Sequence, residues 1–268
     1  MNTPDIAIET EGTGPDLVLV HGWGLNLAVW EPILPRLVSA FRVHRVDLPG
    51  HGHSLPPAGA GLEPWAEAVA DAVHARLTGP AAWVGWSLGG MLAMRVAGLR
   101  PQSVAALVCI AAAPRFAAAP DWGAGMAPGV LQGFAQALEQ DFAGTLARFL
   151  ALQTRGSEAG RETLRLLREA VRVRGEPDLG SLREGLRILA SADLRPVLAT
   201  VTAPVLLLGG ERDTLTAPEA LRHAAECLPG ARLELVGGAG HAPFLSHPTE
   251  TLASLQAFLT YAAASDPA

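Results

Sequence analysis

Ser87 stands in Gly85-Trp86-Ser87-Leu88-Gly89-Gly90, between a run that reads as a strand, Ala82–Gly85, and one that reads as a helix from Leu88. This is the G-x-S-x-G pattern of a turn so tight that its central residue is strained and lifts its hydroxyl clear of a sheet, the flanking glycines removing side chains that would collide. A Gly-rich turn whose serine only caps the following helix is the competing reading. A hydroxyl is a weak nucleophile at its ordinary pKa, so nucleophilic chemistry requires a histidine base and a carboxylate to set that histidine's tautomer. Both lie downstream. Asp213 closes Gly210-Glu211-Arg212-Asp213 after a strand-like run, and His241 sits in Gly237-Gly238-Ala239-Gly240-His241-Ala242-Pro243 after the last one. Glu211 and Asp193 are the rival acids. Asp213 leads more naturally into the helix starting near Pro218. Of the eight histidines, His44, His74 and His223 fall within predicted elements, whereas His241 occupies a strand-end loop.

A tetrahedral intermediate also needs donors for its oxyanion. The loop His21-Gly22-Trp23-Gly24 follows a strand-like run, so the backbone N–H of Trp23 is one expected donor, and that of Leu88, directly after the nucleophile, the other. His21, His51 and His53 read as residues that hold their loops by hydrogen bonding.

Strand-like runs at Asp16–Val20, Arg42–Asp47, Ala82–Gly85 and Val104–Ala111 alternate with helical patterns at Val29–Ala40, Glu63–Leu77 and Leu88–Leu99, the signature of a mostly parallel α/β sheet with helices on both faces. From Pro114 to Pro196 the strand signals vanish and successive amphipathic helices follow. They resume at Pro204–Gly209 and Arg232–Val236, with helices expected across Pro218–Leu228 and Pro248–Ala262. The expected organisation is a core from residues 1–113 and 197–268 with a helical cap inserted at 114–196.

With 268 residues, 49% hydrophobic, the chain suits one large domain or a core with an insertion, at about 100–200 residues per domain. A net charge of −6 removes the basic footprint of a nucleic-acid binder. Every one of the 20 basic residues is Arg, so lysine Schiff-base chemistry is excluded. Cys109 and Cys227 lack metal-ligand spacing, and no run reaches the roughly 18 apolar residues of a membrane span. No metal or organic cofactor is expected, and the chain reads as a cytoplasmic monomer with no membrane partner.

The strings His21-Gly22-Trp23-Gly24-Leu25-Asn26, Gly85 to Gly90, Arg148-Phe149-Leu150-Ala151-Leu152-Gln153 and His241-Ala242-Pro243-Phe244-Leu245-Ser246-His247-Pro248 resemble the pimeloyl-[acyl-carrier protein] methyl ester esterases of biotin synthesis, α/β-hydrolases whose triad order is also Ser, Asp, His. The resemblance implies an α/β-hydrolase fold and hydrolysis of the methyl ester of pimeloyl-[acyl-carrier protein] methyl ester, releasing methanol. It implies substrate contacts at Trp23, Ser87, Leu88, Phe149, Leu150, Ala151, Leu152, Gln153 and His241. Phe149, Leu150 and Leu152 either line a passage for the methylene chain or form cap core.

An acyl-carrier protein is the implied partner, and charge offers it a face. Residues 114–196 hold 11 Arg against 10 acids, a net of +1, whereas the remainder is net −7. Arg161, Arg165, Arg168 and Arg172 fall on one helical stripe, beside Leu164, Leu167 and Val171. Arg148, Arg161 and Arg165 are the candidate docking residues, unless Glu158, Glu162 and Glu169 neutralise the stripe. The resemblance implies a further Arg four positions before Arg148, and this chain departs from it with Gly144 there. A promiscuous carboxylesterase acting on small free esters and a non-catalytic ligand-binding protein of the same fold are the alternatives.

Overall fold

The computed structural model describes residues 5–56, 59–228 and 230–264. Its strands β1 (Ile8–Glu11), β2 (Asp16–Val20), β3 (Arg42–Val46), β4 (Ala81–Trp86), β5 (Val104–Ile110), β6 (Val205–Gly210) and β7 (Arg232–Val236) form one sheet in the order β1-β3-β2-β4-β5-β6-β7. Every pairing is parallel except β1 with β3. The near-continuous apolar runs of β2, β5 and β6 reflect burial on both faces. Alternation along each strand divides the core in two: Val18, Val20, Trp83, Leu107 and Leu207 face one cluster, and Leu17, Leu19, Trp86, Val108 and Leu206 the other.

The helices are α1 (Leu34–Leu37), α2 (Leu62–His74), α3 (Leu88–Leu99), α4 (Pro128–Gln140), α5 (Phe142–Gln153), α6 (Gly160–Arg174), α7 (Leu179–Ser191), α8 (Arg195–Leu198), α9 (Pro218–Glu226), α10 (Pro243–Ser246) and α11 (Pro248–Ala264). Trp65 of α2 and Met91 of α3 pack on the first core, Phe244 of α10 and Leu255 of α11 on the second. Two expectations are corrected. The single helix over Val29–Ala40 is a 3-10 turn at Leu27–Trp30 followed by the short α1, because Pro32 and Pro35 interrupt the backbone donors that one continuous helix requires. Strand β1 had no sequence counterpart. Its alternating, half-polar Ile8-Glu9-Thr10-Glu11 lies on the sheet edge, where no second apolar face marks it.

Between β5 and β6 lie α4 to α8. Several bonds tie this segment to the core. The Asn26 amide donates to Ala170 O at 2.8 Å, the Trp23 indole to Leu182 O at 2.9 Å, and Asp178 N to Gly50 O at 2.8 Å. Arg174, at the end of α6, turns inward, donating to Asp47 Oδ2 at 2.9 and 3.1 Å and pairing with Glu9. Among the described residues no helix is long and apolar enough to cross a membrane.

Candidate active site

Four loops at the C-terminal ends of the parallel strands meet above the middle of the sheet, as expected for α/β architectures. Ser87 follows β4, with φ 55° and ψ −119°, a left-handed conformation that a non-glycine residue adopts only under restraint. Two glycines allow the turn. A Cβ at Gly85 would run into the Gly89 backbone, and one at Gly89 into the carbonyls of Val20 and His21. Ser87 occupies the N-cap position of α3, yet its side chain makes no capping bond. Its hydroxyl instead donates to His241 Nε2 at 3.0 Å.

His241 Nδ1 donates to Asp213 Oδ2 at 2.8 Å. The second oxygen, Asp213 Oδ1, accepts from Leu215 N at 2.8 Å and Thr216 N at 3.1 Å, which fixes the carboxylate plane. All three side chains are buried, His241 to 1% exposure and Ser87 to 5%. The rival acids lie elsewhere: Glu211 is exposed, and Asp193 is engaged by Arg115 and Arg195, which hold its carboxyl down at about 2.

The loop after β2 passes over Ser87, since a Cβ at Gly22 would lie 3.3 Å from Ser87 Cβ. Neither the Trp23 nor the Leu88 backbone N–H has an acceptor among the described residues, so both remain available to an oxyanion. Behind this loop, His21 Nδ1 donates to Gly22 O at 2.8 Å and its Nε2 accepts from Leu48 N at 2.9 Å. His51 Nδ1 donates to Pro49 O at 3.0 Å, and its Nε2 accepts from Gly24 N at 3.3 Å. These roles require neutral rings.

Burial holds His21 at about 3 against an ordinary 6.5, with Arg174 acting in the same direction; burial and the neighbouring His21 hold His51 at about 3. The unfolded chain takes up a proton at each ring below about 6.5, while the folded chain stays neutral down to about 3, so protons favour unfolding across that window. Each ring contributes about 1.4 kcal/mol per pH unit. Unfolding free energy measured by urea titration is therefore expected to fall by nearly 3 kcal/mol per unit, about twice the single-ring figure, between pH 6 and pH 4. A flat profile there would contradict the assignment of both rings as buried and neutral.

The Phe149–Gln153 string lies on α5. Phe149 is buried, its ring 4.5 Å from that of Trp23 and 5.4 Å from that of Phe134. Leu150 packs in the second core, Leu152 is half-buried and Ala151 is exposed. Gln153 is buried with both amide atoms unpartnered among the described residues, while its backbone carbonyl accepts from His241 N at 3.2 Å. The turn from α5 to α6 rests on the loops that carry His241 and Asp213: Glu158 N donates to Gly238 O at 3.1 Å, and the Glu158 carboxylate pairs with Arg212 at 3.0 Å.

On α6, Arg161 and Arg168 are exposed with no ion-pair partner among the described residues. Arg165 pairs with Glu162 at 2.7 Å and Arg172 with Glu169 at 4.0 Å. Arg148 donates to Thr145 Oγ1 at 2.6 Å and reaches Asp141 at 3.3 Å. The stripe is therefore partly neutralised, although Glu158 has gone to Arg212 instead.

The family described as alpha/beta hydrolase fold matches residues 15–248. A pimeloyl-[acyl-carrier protein] methyl ester esterase of Stenotrophomonas maltophilia is 46% identical over 94% of this chain and 95% of its own. The enzyme of the same name from Photobacterium profundum is 42% identical over 96% of this chain and 99% of its own. Among solved structures, an esterase from Exiguobacterium antarcticum superposes with a TM-score of 0.84 at 24% identity, covering 96% of both chains, a likeness of fold. With fold and near full-length sequence in agreement, the chain belongs to the α/β hydrolases and, among them, to the pimeloyl-[acyl-carrier protein] methyl ester esterase family.

Proposed function

We propose that the protein is a serine esterase that hydrolyses the methyl ester of pimeloyl-[acyl-carrier protein] methyl ester, with Ser87, His241 and Asp213 as its triad. The observation that carries this reading is the unbroken chain from Ser87 to His241 at 3.0 Å and His241 to Asp213 at 2.8 Å, in a protein of this family. Ser87 Oγ attacks the ester carbonyl as its proton passes to His241 Nε2, and the negative oxygen is received by the N–H groups of Trp23 and Leu88. The proton then goes to the departing methoxide, and methanol leaves. Water, deprotonated by His241, attacks the acyl-enzyme and releases pimeloyl-[acyl-carrier protein] and Ser87.

Residues 114–196 serve as the cap that selects the substrate. Phe149 and Leu152, alongside Trp23, offer the methylene chain an apolar wall. The Gln153 amide supplies a donor and an acceptor whose burial without partners is costly until the substrate engages them. The substrate also contains a thioester, intrinsically easier to cleave, so selectivity rests on reach: the carrier docks on the cap and its arm brings only the distal ester to Ser87. Arg148, Arg161 and Arg165 form the docking face. The pairing of Arg165 with Glu162 is a weak surface contact that an acidic partner displaces readily.

The test is purified protein with the carrier-linked methyl ester, following methanol release and the integrity of the thioester by mass spectrometry. Methanol with the thioester intact is expected; cleavage of the thioester first would overturn the reach argument. Reversing Arg161→Glu with Arg165→Glu is expected to lower kcat/KM on this substrate by about 10- to 100-fold at low salt. The same change leaves a small free methyl ester within about twofold, and the penalty shrinks at high ionic strength. Equal losses on both substrates would remove the docking assignment.

A further inference from the structure

His241 sits at the end of a loop that glycine makes compliant, with Gly237, Gly238 and Gly240 just before it and Gly238 at φ 72°. An imidazole that must reach Ser87 on one side and Asp213 on the other tolerates little movement of its own backbone. That backbone is gripped at both polar groups. Its N–H donates to Gln153 O at 3.2 Å, and its carbonyl accepts the indole N–H of Trp86 at 2.8 Å in a fully buried contact. Trp86 is the last residue of β4 and directly precedes the nucleophile. One rigid side chain thus links the strand that carries Ser87 to the loop that carries its base.

The other tryptophans show that this bond is not a general consequence of burial. The indole N–H groups of Trp30, Trp65, Trp83 and Trp122 are buried with no acceptor among the described residues. Only Trp23 and Trp86 have one, and both lie at the site, Trp23 reaching Leu182 O and Trp86 reaching His241 O. The Trp86 ring also lies 5.8 Å from the imidazole and stands edge-on to Phe244 at 5.1 Å, which leaves the indole no freedom to swing away.

We infer that Trp86 is a positioning residue for the general base, its indole N–H holding the His241 carbonyl so that the imidazole stays in line with Ser87 Oγ. The inference rests on the serine-triad reading above. Without the donor, the His241 carbonyl is left buried and unsatisfied, and the glycine loop shifts to find another partner, carrying the ring with it. Proton transfer slows, while the groups that bind the ester in its ground state are untouched. The effect therefore falls on kcat and spares KM.

Trp86→Phe keeps a ring in the same slot and deletes only the donor and the outer edge of the indole. On a small free methyl ester its kcat is expected to fall by about 10- to 100-fold, the range for a displacement of roughly 1 Å in a reacting group, with KM within about twofold. The rate at which an organophosphonate labels Ser87 should fall by the same factor. Phe244→Leu is the packing control: it loosens the same aromatic cluster without touching the bond and is expected to lower Tm with kcat within about threefold. The inference is overturned if Trp86→Phe keeps wild-type kcat, or if Phe244→Leu loses as much kcat as Trp86→Phe does. Should the phenylalanine variant not fold, benzothienylalanine at position 86, which replaces the N–H by sulfur in the same outline, is judged by the same criteria. Failure of the triad reading itself looks different, because Ser87→Ala would then remain active.

Discussion

Replacing Ser87 with alanine is expected to lower kcat for methyl ester hydrolysis by a factor on the order of 10⁴ to 10⁶, with the fold and Tm unchanged. The lower figure already corresponds to about 5.5 kcal/mol of transition-state stabilisation, beyond what loss of one ordinary hydrogen bond delivers. The size follows from the step lost. In the proposed mechanism Ser87 Oγ is the atom that forms the acyl-enzyme, and its neighbours Trp86, Leu88 and Gly89 bring no nucleophilic group to the site. Alanine keeps the Cβ that the elbow already accommodates at φ 55°, so the turn adds no new strain. Residual turnover reflects the Trp23 and Leu88 donors acting on direct attack by water. Steady-state methanol release, with phosphonate titration to count intact wild-type sites, measures the ratio. Activity above about 1% of wild type would mean that the hydroxyl is not the nucleophile, since the expected loss is at least two orders of magnitude larger.

Asp213→Asn is expected to cost about 10⁴ in kcat while leaving the position of every backbone atom nearly the same. The two oxygens of Asp213 have divided duties: Oδ1 accepts from Leu215 N and Thr216 N, and Oδ2 faces His241 Nδ1. An asparagine must present its own oxygen to the two backbone donors, which turns its NH₂ toward the histidine. Nδ1 then becomes an acceptor, the ring proton moves to Nε2, and the nitrogen facing Ser87 has no lone pair with which to take a proton. A pH profile of kcat/KM distinguishes this from collapse of the loop. The tautomer argument requires Tm near wild type together with the loss of rate; a large fall in Tm would assign the effect to the Leu215–Thr216 turn.

The chemistry of the site was more legible in the sequence than the contacts that hold it. Ser87, Asp213 and His241 each sit in a loop marked by glycine after an apolar run, because a tight turn at a strand end needs special backbone geometry that only certain residues supply. Six of the strands were legible as runs rich in Val and Leu: β2, β5 and β6 are nearly unbroken because both their faces are buried, whereas β3 (Arg-Val-His-Arg-Val) and β7 (Arg-Leu-Glu-Leu-Val) alternate with charged or polar residues. Edge strand β1 carried no such mark. The Trp86 to His241 bond spans 155 positions, and Arg174 meets Asp47 across 127. No local periodicity encodes partners so far apart; tertiary packing alone decides them. Arg174 illustrates the point, because charge counting grouped it with the basic cap surface, whereas the fold turns it into the core. The arginine stripe of α6 was visible as spacing, but which of its members remain unpaired depended on Glu158, in the turn before the helix, pairing with Arg212 rather than with the stripe.

The turn joining α5 to α6 bears on how such enzymes diversify. Because Gln153 and Glu158 bond directly to the loop bearing His241, and Glu158 also grips the residue beside Asp213, the α4–α8 segment, to which the proposed function gives substrate selection, is not an independent attachment that evolution or an engineer exchanges at will. A graft that imports a foreign lid has to import matching seams at positions 153–158 and 237–241 together. Otherwise it trades a new preference for a slack proton relay.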